Sequence, residues 1–93
     1  MKVNVKGQTY TIIEEELEEH GKVDTDTYII TIDSSEKTKK GTLRRITLAH
    51  ELTHAYLNEM YVSDIISDDL EEILCEIVAH LIDKHGKMIL EFE

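Results

Sequence analysis

Leu43-Arg44-Arg45-Ile46-Thr47-Leu48-Ala49-His50-Glu51-Leu52-Thr53-His54-Ala55-Tyr56-Leu57 reads as one amphipathic helix. Leu43, Ile46, His50, His54 and Leu57 recur at steps of three and four, so the period predicts a helix that begins between Ser35 and Thr42 and ends near Met60. Gly41 leaves its start open. Within it, His50-Glu51-Leu52-Thr53-His54 is an H-E-x-x-H sequence. Residues four apart stand one turn above each other, so both imidazoles can point at one ion at the spacing that zinc takes from histidine. Glu51 lies about 100 degrees round the axis, off the ligand pair yet near a water held on the metal. Zinc lowers the pKa of such a water towards about 7, and Glu51 can then take its proton and deliver it to a leaving amine. The plain alternative is a helix with two surface histidines. Against it stand the strength of the helical pattern and a second helix that follows with candidate third ligands.

Downstream of a linker from Tyr61 to Ser67, the sequence predicts that second helix. Ser67 is the candidate N-cap, Asp68 and Asp69 suit the positively polarised first turn, and Gly86 is placed to stop it. Leu70, Ile73, Leu74, Ile77, Val78 and Leu81 are its expected buried face. Glu72, Glu76 and His80 lie at successive steps of four and share one stripe, so any of them could reach an ion on the first helix. A carboxylate ligand belongs near the helix start, with its neighbour one turn on free to hydrogen-bond a ligand histidine. That favours Glu72 as third ligand and Glu76 as orienting group, with Glu76 as the ligand in the alternative; His80 reads as a structural or polar neighbour.

Upstream, the pattern is that of strands. Val3 and Val5 alternate with polar residues, Lys6-Gly7-Gln8 supplies a turn, and Thr9-Tyr10-Thr11-Ile12-Ile13 resumes a β-branched and aromatic run, which predicts a hairpin. The acidic run Glu14 to Glu19 is ambiguous between strand and short helix. A second β signal, Thr27-Tyr28-Ile29-Ile30-Thr31-Ile32, ends in the turn-prone Asp33-Ser34-Ser35. The tail Lys87-Met88-Ile89-Leu90-Glu91-Phe92 reads as a last strand or a docking segment. The fold class is therefore α+β: a small N-terminal antiparallel or mixed sheet, an active-site helix and a second, C-terminal helix, in one domain over residues 1–93.

Composition narrows the function classes. With 93 residues a domain buries a modest share of its surface, so a metal that prefers the folded state would add to stability as well as to chemistry. At 41% hydrophobic and 32% charged the chain reads as globular. No apolar run approaches the roughly 18 residues that a membrane span needs, and Met1 to Val5 lacks a signal-peptide core, so no membrane partner is expected and the default compartment is the cytoplasm. The single Cys75 can form no internal disulfide, which agrees with a reducing compartment. A net charge of −10 disfavours binding to nucleic acid. The basic residues Lys37, Lys39, Lys40, Arg44 and Arg45 cluster, either as a solvated loop and helix start or as a contact for an acidic partner.

Thr42-Leu43, Leu48-Ala49-His50-Glu51-Leu52-Thr53-His54-Ala55 and Glu72-Ile73-Leu74-Cys75-Glu76-Ile77-Val78-Ala79 resemble the small phage-type ImmA/IrrE metallopeptidases and, more distantly, other gluzincins. The resemblance runs from about Tyr28 to Ile82. It implies a minimal zincin-like fold, a Zn2+ cofactor and protein or peptide substrates. In the family pattern E-x-x-A-[ND]-x-[FV]-A the first glutamate is the third zinc ligand, which Glu72 matches, with Glu76 at the orienting position. Cys75 stands where alanine is usual. The same likeness implies that the strand Tyr28 to Ile32 is the sheet edge along which a peptide lies as an added strand.

The expected activity is that of a zinc-dependent endopeptidase, with His50, His54 and Glu72 as ligands and Glu51 as general base. Tyr56, Tyr61, His80 and His85 are the candidates for stabilising an oxyanion. The alternative is a catalytically weak or inactive zincin-like module that holds zinc for stability and binds a protein partner, or a latent protease whose tail Lys87 to Glu93 covers the cleft.

Overall fold

The structure, a computed structural model, describes residues 1–39 and 41–92; Lys40 of the basic group and Glu93 of the tail lie outside the described residues. The expected hairpin is formed by β1 (Lys2–Val5) and β2 (Gln8–Glu15), paired antiparallel. Its two-residue loop, Lys6-Gly7, has φ of 53 and 93 degrees, the left-handed conformation that a type I′ turn requires at both positions. Beyond Glu15 the acidic run is neither strand nor helix, and it leads into β3 (Gly21–Asp24) and then β4 (Ile29–Asp33). The sheet order is β1-β2-β4-β3, with β2 and β4 parallel and β3 antiparallel to β4.

This order corrects the expected edge strand. The Tyr28 to Ile32 signal becomes β4, which sits between β2 and β3, while β3 ends the sheet. The burial agrees with an interior place: Ile30, Thr31, Ile32 and Asp33 of β4 are all buried, whereas β3 has no buried residue. β3 gave no sequence signal because Val23 is its one large apolar residue.

Asp33, fully buried at the end of β4, holds the following loop. Its carboxylate accepts hydrogen bonds from the backbone N–H of Leu17 and Ser35, from the hydroxyls of Ser35 and Thr38, and from Lys37 Nζ at 2.7 Å. Burial alone would raise its pKa, but these donors overcome that and hold the carboxyl well below its usual range.

α1 (Leu43–Glu59) crosses the sheet and is followed by α2 (Asp68–Glu91). Ala55, Leu48 and Leu52 pack on a core of Val5, Tyr10, Ile12, Ile30 and Ile32, so one side of α1 belongs to the sheet and the other is left for α2. α1 closes with a Schellman motif: Val62 N donates to Leu57 O at 2.8 Å and Tyr61 N to Asn58 O at 3.1 Å, with Tyr61 rather than glycine in the left-handed position at φ 62 degrees. Tyr10 fastens the far end of the helix, its buried hydroxyl donating to Glu59 at 2.7 Å; burial and that carboxylate push its pKa up to about 12.

α2 begins as expected, with Ser67 Oγ accepting from Leu70 N at 3.1 Å and Asp68, Asp69 and Glu71 in the first turn. Two expectations about it are overturned. Gly86 does not stop the helix, which continues to Glu91, so residues 87–91 are helical turns rather than a strand. A glycine inside a helix costs only about 1 kcal/mol, and no proline or left-handed residue follows to end it. The apolar residues expected as the buried face are also largely turned outward: Leu70, Ile73, Ile77 and Leu81 are exposed, while Cys75 and Ala79 are buried against α1. α1 meets α2 with a polar, small-residue face, and the apolar stripe points the other way. Among the described residues, no helix is long and apolar enough to cross a membrane.

Candidate metal centre

The two histidines of H-E-x-x-H stand one turn apart on the α2 side of α1, their rings 4.9 Å apart between centroids. Both turn their Nε2 atoms to the same carboxylate: Glu72 Oε2 lies 3.1 Å from His50 Nε2, and Glu72 Oε1 lies 2.8 Å from His54 Nε2. The other ring nitrogens are held separately. Glu76 Oε1 is 2.5 Å from His50 Nδ1, and Glu71 Oε2 is 2.5 Å from His54 Nδ1. Each glutamate accepts a hydrogen bond from Nδ1–H, which selects the tautomer that leaves the Nε2 lone pair directed at the shared point. Burial would raise the Glu71 carboxyl, but the Ser63 hydroxyl and the His54 ring beside it hold it below its usual range, so it stays an acceptor. Glu71 was not singled out in the sequence, because it lies off the stripe of Glu72, Glu76 and His80.

These donors fit a zinc ion. An imidazole lone pair and a carboxylate oxygen repel at such distances unless a proton or a cation lies between them. The edge of a tetrahedron with zinc–ligand bonds of 2.0–2.1 Å is about 3.3 Å, near the 3.1 Å from His50 Nε2 to Glu72 and longer than the 2.8 Å from His54 Nε2, so the carboxylate would draw back slightly to admit an ion. Cys75 is a rival donor, since its Sγ and ligand nitrogens of His50 and His54 all lie within 4.8 Å of one another. It fits less well. Glu72 already touches both rings, whereas the Cys75 thiol is fully buried and is pushed up to about 12 by that burial and by Glu71, Glu72, Glu51 and Glu76 around it.

Glu51 is 6% exposed, and its Oε2 has no hydrogen-bond partner among the described residues. Burial raises its pKa, against the opposing pull of His54 and His50. A buried, unpaired carboxylate beside two histidines is an unfavourable arrangement in a metal-free protein and a useful one beside a cation.

Two hollows open on either side of this cluster and share Gly21, Glu51 and Glu72 in their walls. One, of about 480 Å³, runs along Lys22, Val23 and Thr25 of the edge strand and its turn, past His54. The other, of about 390 Å³, is lined by His20, His50, Glu76 and His80. Gly21 sits where strand and helix touch: a Cβ there would lie 2.8 Å from Thr47 Cγ2 and 3.1 Å from Glu51 Cγ. Only glycine lets β3 lie this close to α1.

Of the residues expected at an oxyanion position, His80 lines a hollow, whereas Tyr56, Tyr61 and His85 line neither. His20 was missed, since a lone histidine before a glycine carries no spacing signal. Thr38 donates its hydroxyl proton to Asp33, so His20 Nδ1–H donates to Thr38 Oγ1 at 2.8 Å. The helical tail does not cover the cleft either, for no residue among 87–92 lines either hollow. Three residues of the basic cluster pair within the chain: Lys37 with Asp33 at 2.7 Å, Arg45 with Asp83 at 3.2 Å, and Arg44 with Glu14. No protein-family model, curated protein or solved structure matches this chain.

Proposed function

We propose that the protein is a minimal zinc-dependent endopeptidase of the zincin type, similar to the small phage-type ImmA/IrrE metallopeptidases. The observation that carries this reading is the convergence of His50 Nε2, His54 Nε2 and Glu72, with the unpaired carboxylate of Glu51 buried beside them. His50, His54 and Glu72 would hold the ion, and Glu76 and Glu71 would fix the two rings through Nδ1. Zinc, when bound there, supplies a Lewis acid that activates a water and polarises a carbonyl.

The chain's own residues do the remaining work. Glu51 would accept a proton from the attacking water and pass it to the leaving nitrogen. The end strand β3 offers backbone groups beside the hollow, so an extended peptide would pair with Gly21 to Asp24 rather than with β4. His20 and His80, in the adjoining hollow, are the side chains available to an oxyanion. Expression in the cytoplasm, with Cys75 reduced, belongs to the same reading.

Glu51→Gln should leave zinc bound at one equivalent and reduce peptide cleavage by at least about a hundredfold, as loss of a general base does. Undiminished cleavage by that variant would refute the mechanism. A zinc-holding protein-binding module would use the same ligands, but it would have no need of Glu51, whose buried charge it would tolerate for nothing.

A further inference from the structure

Helix α2 carries an apolar surface that its packing on α1 leaves uncovered. Leu70 is 43% exposed, Ile73 55%, Ile77 56%, Leu81 45% and Met88 61%. Together with Leu74, the residues Leu70, Ile77, Leu81, Lys84 and Met88 follow steps of four, three, four, three and four, the a/d spacing of a coiled-coil seam. Glu72, Ala79 and Gly86 then occupy the f positions of the same heptads, and that is the side turned to α1. The seam therefore points directly away from the metal centre. It is not the core of this chain, because α2 packs on α1 and sends no apolar residue into the sheet cluster.

We propose that this seam is the homodimer interface, formed by α2 of two copies lying antiparallel. Three features of α2 select a second copy in that orientation. In antiparallel coiled coils an a position meets a d position of the other helix, and a two-fold axis beside Ala79 achieves this for every layer: Leu70 opposite Met88 of the second copy, Leu74 opposite Lys84, and Ile77 opposite Leu81. The charges are also divided along the helix. Asp68, Asp69, Glu71 and Glu72 crowd its first turns with no cation among them, whereas Lys84 and Lys87 balance Asp83 and Glu91 towards its end, so antiparallel copies set each acidic end beside the end that carries the lysines and parallel copies bring the two acidic ends together. Lastly, the area suffices. Buried completely, the exposed parts of these side chains and of the flanking Ile73 would remove roughly 500 Å² a copy, which brings the pair to the lower bound of about 1,000 Å² for a specific interface. Lys84 is the one polar residue of the seam, placed where its stem can lie along Leu74 of the second copy with its ammonium at the rim.

The test is the mass of the intact chain in solution, by light scattering on a sizing column at tens of micromolar protein. The wild-type protein should run at twice the chain mass. Leu81→Glu should run as a monomer and still bind one zinc per chain, which separates loss of the interface from loss of the fold or of the metal site. Lys84→Leu, which removes the polar break in the seam, should lower the dimer dissociation constant at least tenfold. For orientation, equimolar Leu70→Cys and Met88→Cys variants should oxidise to the mixed disulfide in preference to either symmetric one, since Cys75 is buried. A monomeric wild type, a dimer indifferent to both Leu81→Glu and Lys84→Leu, or a dominant Leu70→Cys symmetric disulfide would each overturn the proposal.

Discussion

Replacing Glu51 with glutamine should make the metal-free protein more stable, and by an amount that depends on pH in a defined sense. The side chain is 6% exposed and Oε2 has no partner, so ionising Glu51 in the protein without metal places a charge in the interior with no hydrogen bond to Oε2. An unsatisfied buried polar group costs about 1–3 kcal/mol; with His50 and His54 offsetting part of the charge, the lower end applies and the gain should be about 1 kcal/mol. For a domain of this size that is a rise of roughly 4–8 °C in Tm.

The direction with pH follows from burial, which raises the folded-state pKa of Glu51 above its ordinary value of 4.5. The folded protein therefore binds more protons at this group than the unfolded chain does. Its contribution to stability is fully present below the unfolded pKa and is lost as pH rises through the folded one. At pH 4 the carboxyl is neutral enough in both states to resemble an amide, and the two proteins should unfold at nearly the same temperature. At pH 8 the variant should be ahead. Thermal unfolding followed by circular dichroism in the presence of a chelator, at pH 4, 6 and 8, measures this. An advantage equal at pH 4 and pH 8, or no advantage at pH 8, would show that Glu51 does not carry a buried charge at a strained site.

The ring supports and the strand contact yield two further expectations. Glu76→Gln should weaken zinc binding roughly 10- to 100-fold while leaving one site per chain, because it loosens the His50 ring without removing a ligand; a competing chelator titration reads this, and unchanged affinity would deny Glu76 its orienting part. Gly21→Val should cost about 1–3 kcal/mol in urea unfolding, because a Cβ at 2.8 Å from Thr47 Cγ2 forces β3 away from α1; a fully stable variant would mean that the strand does not lie against the helix as described.

Much of the local architecture was legible because its causes are local. The alternation at Val3 and Val5 with the Lys6-Gly7 turn specified the hairpin, the period of three and four specified α1, and Ser67 with Asp68 and Asp69 specified the start of α2. The four-residue spacing of His50 and His54 put both rings on one face, a consequence of helix geometry that no neighbour alters. The register of Glu72 and Glu76 on α2 likewise placed them on one stripe, and they meet the two rings.

What the sequence left undetermined is what depends on which surfaces meet. A stripe of leucine and isoleucine signals an amphipathic helix, but not the direction in which it faces; the stripe of α2 has the pattern of a core face, yet packing turns Cys75 and Ala79 inward instead. Strand order is set by long-range pairing, so the crossing of the chain past β4 to make β3 the end strand had no local signature. The same holds for Glu71 against His54, His20 against Thr38, and the close approach at Gly21, each joining residues distant along the chain. Periodicity fixes the side of an element on which a residue sits, and only the assembled elements fix what stands opposite it.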